Sequence, residues 1–145
     1  MIGLLQRVTS AQVTVGEEAI GEIGSGLLAL IGIERKDNEN HADRLLERLL
    51  SYRVFPDETG RMNRSLQDVT GGLLLVPNFT LVADTKKGTR ASFTPAAAPA
   101  DSKRLFDHLV DCARARYAVV QSGVFGAHMK VTLTNDGPVT FWLRV

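Results

Sequence analysis

"MIGLLQRVTSAQVTVGEEAIGEIGSGLLALIGI", Met1 to Ile33, decides what kind of fold this chain can take. Met1 to Val8 is apolar and reads as a strand. Ala11, Val13 and Val15 alternate with Gln12 and Thr14, the period-two pattern of a strand with one face buried. Gly16 to Glu18 supplies a hairpin turn, and Ala19 to Ile23 pairs back. Leu27 to Ile33 is a continuous apolar run, as a central strand requires. Glycines at 21, 24 and 26 invite a dinucleotide-binding reading. Their spacing differs from that fingerprint, and a strand-like run follows where a helix should open. They read as turn residues.

Two helices stand out beyond this hairpin region. Ala42, Leu45, Leu46, Leu49 and Leu50 fall on one helical stripe, with Arg44, Glu47 and Arg48 on the wet face. Asp37 or Asn38 can cap its start. Tyr52 to Phe55 leaves as an extended piece that ends in a Pro-Asp-Glu-Thr-Gly turn. The second helix spans about Ala100 to Tyr117, with Leu105, Phe106, Leu109, Val110, Ala113 and Tyr117 as its stripe. Leu73 to Val82 reads as a strand interrupted by Pro77, and proline inside a strand marks an edge or a bulge. Met129 to Thr134 and Val139 to Val145 read as the last two strands. Hairpins dominate this order. It predicts a single α+β domain over residues 1–145, with two amphipathic helices packed on a mainly antiparallel, barrel-like sheet.

Composition narrows the function. A chain of 145 residues fits one domain, and it is 44% hydrophobic and 23% charged. The net charge of +1 gives no global electrostatic case for wrapping nucleic acid, although gripping one RNA end needs few phosphate contacts. Cys112 is the single cysteine, so no internal disulfide forms and a reducing compartment suits the chain. The longest apolar run, Leu27 to Ile33, is short and broken by Gly32, and the start lacks the pattern of a signal peptide. A cytoplasmic protein is expected, with neither membrane nor DNA as partner.

A search for a side-chain machine comes back empty. His41 and His108 sit on helices and His128 begins a strand; no two share a metal-ligand spacing, and no metal or cofactor is expected. Cys112 lies beside an apolar helical stripe and reads as a small half-buried residue. There is no Gly-x-Ser-x-Gly elbow and no phosphate loop.

Two unusual stretches remain. In "PNFTLVADTKKGTRASF", Pro77 to Phe93, Asn78 and Thr80 share one face of the expected strand. The stretch reads either as an edge strand followed by a solvated loop bearing Lys86, Lys87 and Arg90, or as a bulge whose free N–H groups meet a ligand while the basic loop meets phosphate. The second stretch is "NDGPVTFWLRV", Asn135 to Val145. Pro138 removes the donor that a hairpin turn wants after Gly137, so the turn is built to show its backbone to something else.

These stretches carry a resemblance. With "LLQRVTSAQVTV" and "LLERLLSYRVFPDETGRMN", they make the chain similar nearly end to end to the D-aminoacyl-tRNA deacylases. The family's typical Ser-Gln-Phe-Thr is here Pro77-Asn78-Phe79-Thr80. That removes a serine hydroxyl and a glutamine amide and keeps Phe79 and Thr80. The resemblance implies a homodimer with two active sites at the interface, each taking an aminoacyl-tRNA 3′ end. It implies hydrolysis of the ester joining a D-amino acid to the terminal adenosine. It also implies a cis Gly137-Pro138 that reaches into the partner's pocket as a chiral filter, beside substrate contacts from Asn78, Val139 and Thr140.

Such an ester is already activated, so a protein need only orient it, admit water and stabilise the oxyanion. Main-chain N–H groups at Phe79 and Thr80 are favoured for this over a Thr80 nucleophile, because no histidine stands near Thr80 in sequence. Arg7 reads as an edge-exposed charge or, on the family pattern, as a brace bonding a carbonyl of the Gly-Pro turn. Phe125 and Met129, near the kink "SGVFGAHM", read as core packing or as an adenine-stacking surface. Trp142 is expected to cover a dimer or helix contact. The rival from another class is a non-catalytic RNA-end-binding scaffold.

Overall fold

A computed structural model describes all 145 residues. Its spine is β1, Ile2–Val15, a single strand where two were expected. One edge of β1 takes two partners in turn. Residues 2–8 pair antiparallel with β3, Gly26–Gly32, and residues 11–15 pair antiparallel with β2, Glu18–Ile23. The other edge pairs along nearly its whole length with the final strand, Met129–Arg144.

The sheet continues from β3 in the parallel sense. β6, Gly72–Pro77, lies parallel to β3, and β7, Val120–Ser122, lies parallel to β6. Parallel neighbours need long crossovers. The first carries α1, Glu39–Ser51, the small hairpin of β4 (Phe55–Pro56) and β5 (Met62–Arg64), and a one-turn helix α2, Leu66–Val69. The second carries α3, Pro99–Arg116. The final strand is β8. Since β2 curls back against β6 and β7, the sheet nearly closes into a barrel. The α+β expectation is met, with a parallel half and a third short helix added.

Burial explains the two apolar runs. In β3 and β6, Leu27, Ala29, Ile31, Leu73 and Leu75 enter the main core beneath α1 and α3. Leu28, Leu74 and Val76 turn to a second cluster on the opposite face, with Val8, Ala11, Val13 and Ile23. A strand covered on both faces needs a continuous apolar run rather than alternation. The α1 stripe of Ala42, Leu45, Leu46, Leu49 and Leu50 is wholly buried, as its spacing predicted.

Asn38, not Asp37, caps α1. Its side chain accepts from His41 N while the His41 ring accepts from Asn38 N, which occupies that histidine structurally. Asp37 instead accepts from Glu34 N at 2.6 Å.

Two expectations are corrected. The strand predicted over Leu73 to Val82 ends at Pro77, and Phe79–Val82 forms a 3-10 turn. β6 is central rather than an edge; proline is tolerated because it stands at the strand's last residue, and Asn78 N takes over by donating to Ile31 O at 2.8 Å. Asn78 and Thr80 therefore do not share a strand face. The closing stretch is not a turn between two strands. Both halves of β8 pair with the same neighbour, β1, and residues 136–139 form an excursion from one continuous ladder.

Entry into the parallel pair depends on close backbone approach. Gly26 stands opposite Gly72, and a Cβ at Gly26 would lie 2.0 Å from the Gly72 carbonyl oxygen. Nothing lies within 4 Å of the corresponding point on Gly24. Gly26→Ala is therefore expected to lose about 3 kcal/mol or more of stability, whereas Gly24→Ala stays within about 0.5 kcal/mol of the parent. Urea unfolding of both variants checks this, and equal losses would contradict the packing account.

Candidate active site

The sheet face opposite the main core holds a cavity of about 710 Å³, which reaches the start of α3 at Pro99 and Ser102. Its floor is Leu28, Leu30 and Val76 from the two central strands, and its wall is Met129, Val131 and Leu133 from β8. The rim carries Gln6, Asn78, Phe79, Phe93, Phe125 and His128. An apolar pocket of this size with a few polar groups at its edge is what a small-molecule end-group requires.

Pro77, Asn78, Phe79, Phe125 and Met129, all singled out in the sequence, meet here. Met129 fits because Gly123 has no side chain; a Cβ there would lie 2.7 Å from the Met129 sulfur. Phe125 both lines the cavity and packs on the main core. The Phe79 ring is 60% exposed and tilts against Phe93 at 5.0 Å between centroids, leaving a bare aromatic pair at the mouth.

Thr80 lies just outside the lining. Its hydroxyl donates to Asn78 Oδ1 at 2.5 Å, and no histidine bonds to it. Phe79 and Thr80 are the first two residues of a 3-10 turn, positions whose N–H groups have no partner within the turn. The loop bearing Lys86, Lys87 and Arg90 is exposed and closed at its base by paired bonds between Asp84 and Ser92.

Gly137, Pro138, Val139, Thr140 and Arg7 form a second group elsewhere. Gln6 and Val8 on β1 pair with Thr140 and Asn135 on β8, so the single residue Arg7 faces Asp136, Gly137, Pro138 and Val139. The Gly137-Pro138 peptide is cis, and both residues are exposed. Gly137 has φ 126°, and a Cβ there would press to 2.6 Å on Val139, so only glycine fits.

Arg7 is no edge charge, since β1 is paired on both sides and the side chain is 12% exposed. The carbonyl it bonds belongs to Val54, at 2.6 Å, and not to the turn. It meets the turn through charge, with Nε 2.9 Å from Asp136 Oδ2 but not aligned as a hydrogen bond. Trp142 is 53% exposed.

The two groups do not meet within one chain. Only Gln6 touches both, lining the cavity and standing opposite Thr140. Sequence reasoning gave no site role to Gln6, His128 or Asn135, because each acquires its place only when the strands pair.

It also missed that His108 and Cys112, one helical turn apart on α3, gather with Asp43 of α1 within 4.8 Å. His108 Nε2 lies 2.9 Å from Asp43 Oδ1. Burial, with the Asp43 charge beside it, pushes the Cys112 thiol up, so without a metal it is protonated near neutral pH and a poor nucleophile.

The sequence model of the family described as D-Tyr-tRNA(Tyr) deacylase matches residues 4–144. Proteins named D-aminoacyl-tRNA deacylase from Thioalkalivibrio sulfidiphilus and Nitrosococcus oceani are each 63% identical over the whole chain, which spans 97% and 94% of their lengths. The chain belongs to the D-aminoacyl-tRNA deacylase family. Among solved structures, one named c-Myc DNA Unwinding Element Binding Protein superposes with TM-score 0.95 at 35% identity, covering 100% of this chain and 99% of that one. A "probable eukaryotic D-amino acid tRNA deacylase" superposes with TM-score 0.81 at 18% identity, covering 98% and 97%, and so shares the fold. As a deacylase the chain is a hydrolase of aminoacyl-tRNA ester bonds. No helix is long and apolar enough to cross a membrane.

Proposed function

We propose that this deacylase is a chiral proofreader whose active site is completed by a second copy, and that Gly137-Pro138 excludes L side chains. One observation carries the reading: the apolar cavity and the exposed Gly137-Pro138 excursion lie apart on one chain, each presenting groups that nothing in that chain uses. In a homodimer the excursion of one copy faces the cavity of the other. The aminoacyl-adenosine end then lies on the apolar floor, with the adenine against Phe125 and Met129. Asn78, Val139 and Thr140 hold the aminoacyl group.

The chemistry asks little of side chains. Water adds to the ester carbonyl and gives up a proton to solvent, leaving a tetrahedral oxyanion; this collapses with departure of the ribose oxygen, which takes a proton from solvent. The N–H groups of Phe79 and Thr80 stabilise that oxyanion, and one such donor is worth about 10²–10³ in rate. No cofactor is required. The reaction belongs in the cytoplasm, where charged tRNA is used.

Exclusion by backbone suits the selectivity problem. An attractive apolar pocket separates substrates differing by one methyl group by only about 10–200-fold. A close-packed main-chain wall adds a steric penalty that a mobile side chain does not hold. The wall rejects an L side chain without needing to grip a D one, so glycine passes.

Three outcomes test this. Light scattering at assay concentration is expected to show a dimer, and an active monomer overturns the shared site. Thr80→Ala is expected to retain most activity; a fall beyond about a thousandfold in kcat, about 4 kcal/mol of barrier, returns the nucleophile role to Thr80. Finally, under one set of conditions, D-Ala-tRNA and Gly-tRNA are expected to be cleaved and L-Ala-tRNA spared. If Gly-tRNA resists as L-Ala-tRNA does, the site recognises a D side chain rather than excluding an L one. If none of the three is cleaved, the chain binds RNA ends without catalysis.

A further inference from the structure

We infer that Asn135 is a positioning residue: its side chain fixes the height of Gly137-Pro138 and thereby sets stereoselectivity. The inference rests on the reading of that excursion as the wall against L side chains.

The argument begins with a deficit in the β1–β8 ladder. Four residues of β8, Asp136 to Val139, stand opposite the single residue Arg7. An excursion of this size separates main-chain groups that a regular ladder would pair. The Asn135 amide fills the gap. Its Nδ2 lies 2.9 Å from the Arg7 carbonyl oxygen on β1 and 3.1 Å from the Val139 carbonyl oxygen at the far foot of the excursion. Its Oδ1 accepts from the Thr140 hydroxyl at 3.2 Å, on the residue where pairing with β1 resumes.

A primary amide offers two N–H donors and an acceptor in one plane. Here both donors and the acceptor are engaged, and their partners are the neighbouring strand and both sides of the loop's far foot. The side chain thus replaces the missing rung of the ladder and closes the base of the excursion.

Other contacts reach the tip only from below. Gly137 and Pro138 are exposed; Arg7 meets Asp136, whose side chain is 47% exposed, and lies beside Gly137, while Val139 at the far foot packs on the main core. The ladder is regular toward Arg144 and resumes toward Met129, so the strand pair does not rely on Asn135 for its existence. What relies on it is the relation between the two feet, and therefore where the tip stands. No other residue type supplies this set from one methylene. Aspartate presents a carboxylate to two carbonyl oxygens, alanine presents nothing, and glutamine carries the same groups on a longer arm.

The test is the ratio of kcat/KM for D-Ala-tRNA to that for L-Ala-tRNA, measured for the full-length parent, Asn135→Asp, Asn135→Gln and Pro138→Ala. In Asn135→Asp the ratio is expected to fall by at least about tenfold, because misplacement of a steric element by a fraction of an ångström carries such factors. The fall should come mainly from L-Ala-tRNA hydrolysis gained, with kcat for D-Ala-tRNA largely kept. Asn135→Gln should stand between the two. A merely structural role lowers the unfolding midpoint and both substrates' rates together, leaving the ratio in place.

An unchanged ratio in Asn135→Asp beside a lowered one in Pro138→Ala overturns the clamp and leaves the wall standing. An unchanged ratio in both removes the wall and the clamp with it. If Asn135→Asp does not fold, Asn135→Gln, which keeps the amide on a longer arm, decides alone. It is expected to lower the ratio less but in the same direction, and no change there overturns the inference.

Discussion

The structure depends on a single long strand that is paired on both edges. β1 gives residues 2–8 to β3 and residues 11–15 to β2 on one side, and runs beside β8 on the other. A strand in that position cannot slip. A shift by one residue would turn Leu5, Val8, Ala11 and Val13 out of their cores and put polar neighbours in. Fixed register on β1 then fixes β8, and a fixed β8 means that extra residues in it have nowhere to go but outward. The excursion at Asp136 to Val139 is the place where β8 is longer than its track. Its position opposite Arg7 is set by the pairing on either side, not by the local turn residues alone.

What could be read in the sequence follows from which signals are local. The α1 stripe from Ala42 to Leu50 and the α3 stripe from Leu105 to Ala113 are buried as their spacing predicts, because helical periodicity is written in residues close along the chain. The run Leu27 to Ile33 is central for the same reason, since apolar residues on both faces leave no wet side. Three things were not local. The parallel pairing of β3, β6 and β7 is hidden among hairpins, because nothing within Leu73 to Val76 states the direction of its neighbour. Pro77 reads locally as interrupting a strand, whereas the strand ends there and the chain turns into a 3-10 segment. The Asn-Asp-Gly-Pro stretch reads, taken alone, as a turn between two strands. That pairing resumes on the same neighbour, five residues along β8 from Asn135 to Thr140 for two along β1, depends on the length of β1.

The candidate site shows the same division. Phe79, Thr80, Gly137 and Pro138 were visible because they stand in short stretches that make poor sense as scaffold. Asn135 was not, for an asparagine beside a turn ordinarily bonds its own nearby backbone. Here one of its two donors instead crosses to Arg7, 128 residues away in sequence. Arg7 itself was visible only as a charge among apolar neighbours. Its partners, the Val54 carbonyl and Asp136, come from segments that no spacing rule connects.

The empty search for catalytic side chains and the composition of the cavity have one explanation. The floor is Leu28, Leu30 and Val76 from strands that are also core, so the walls are as stiff as the interior beneath them. Main-chain groups at the 3-10 turn hang from the end of β6, and those of the excursion hang from β8. Both sets inherit their placement from the sheet rather than from rotamers. For an ester that is already activated, placement is the larger part of what a catalyst supplies. A site built this way gives up the tuning that histidine or carboxylate pKa values would offer. In exchange, the proposed oxyanion donors and the proposed wall both take their places from the sheet, the first from the end of β6 and the second from β8 opposite Arg7 of β1. The excursion hangs by its two feet on β8, and that is why the discrimination is expected to be more sensitive to the rung at Asn135 than to any residue on the cavity floor.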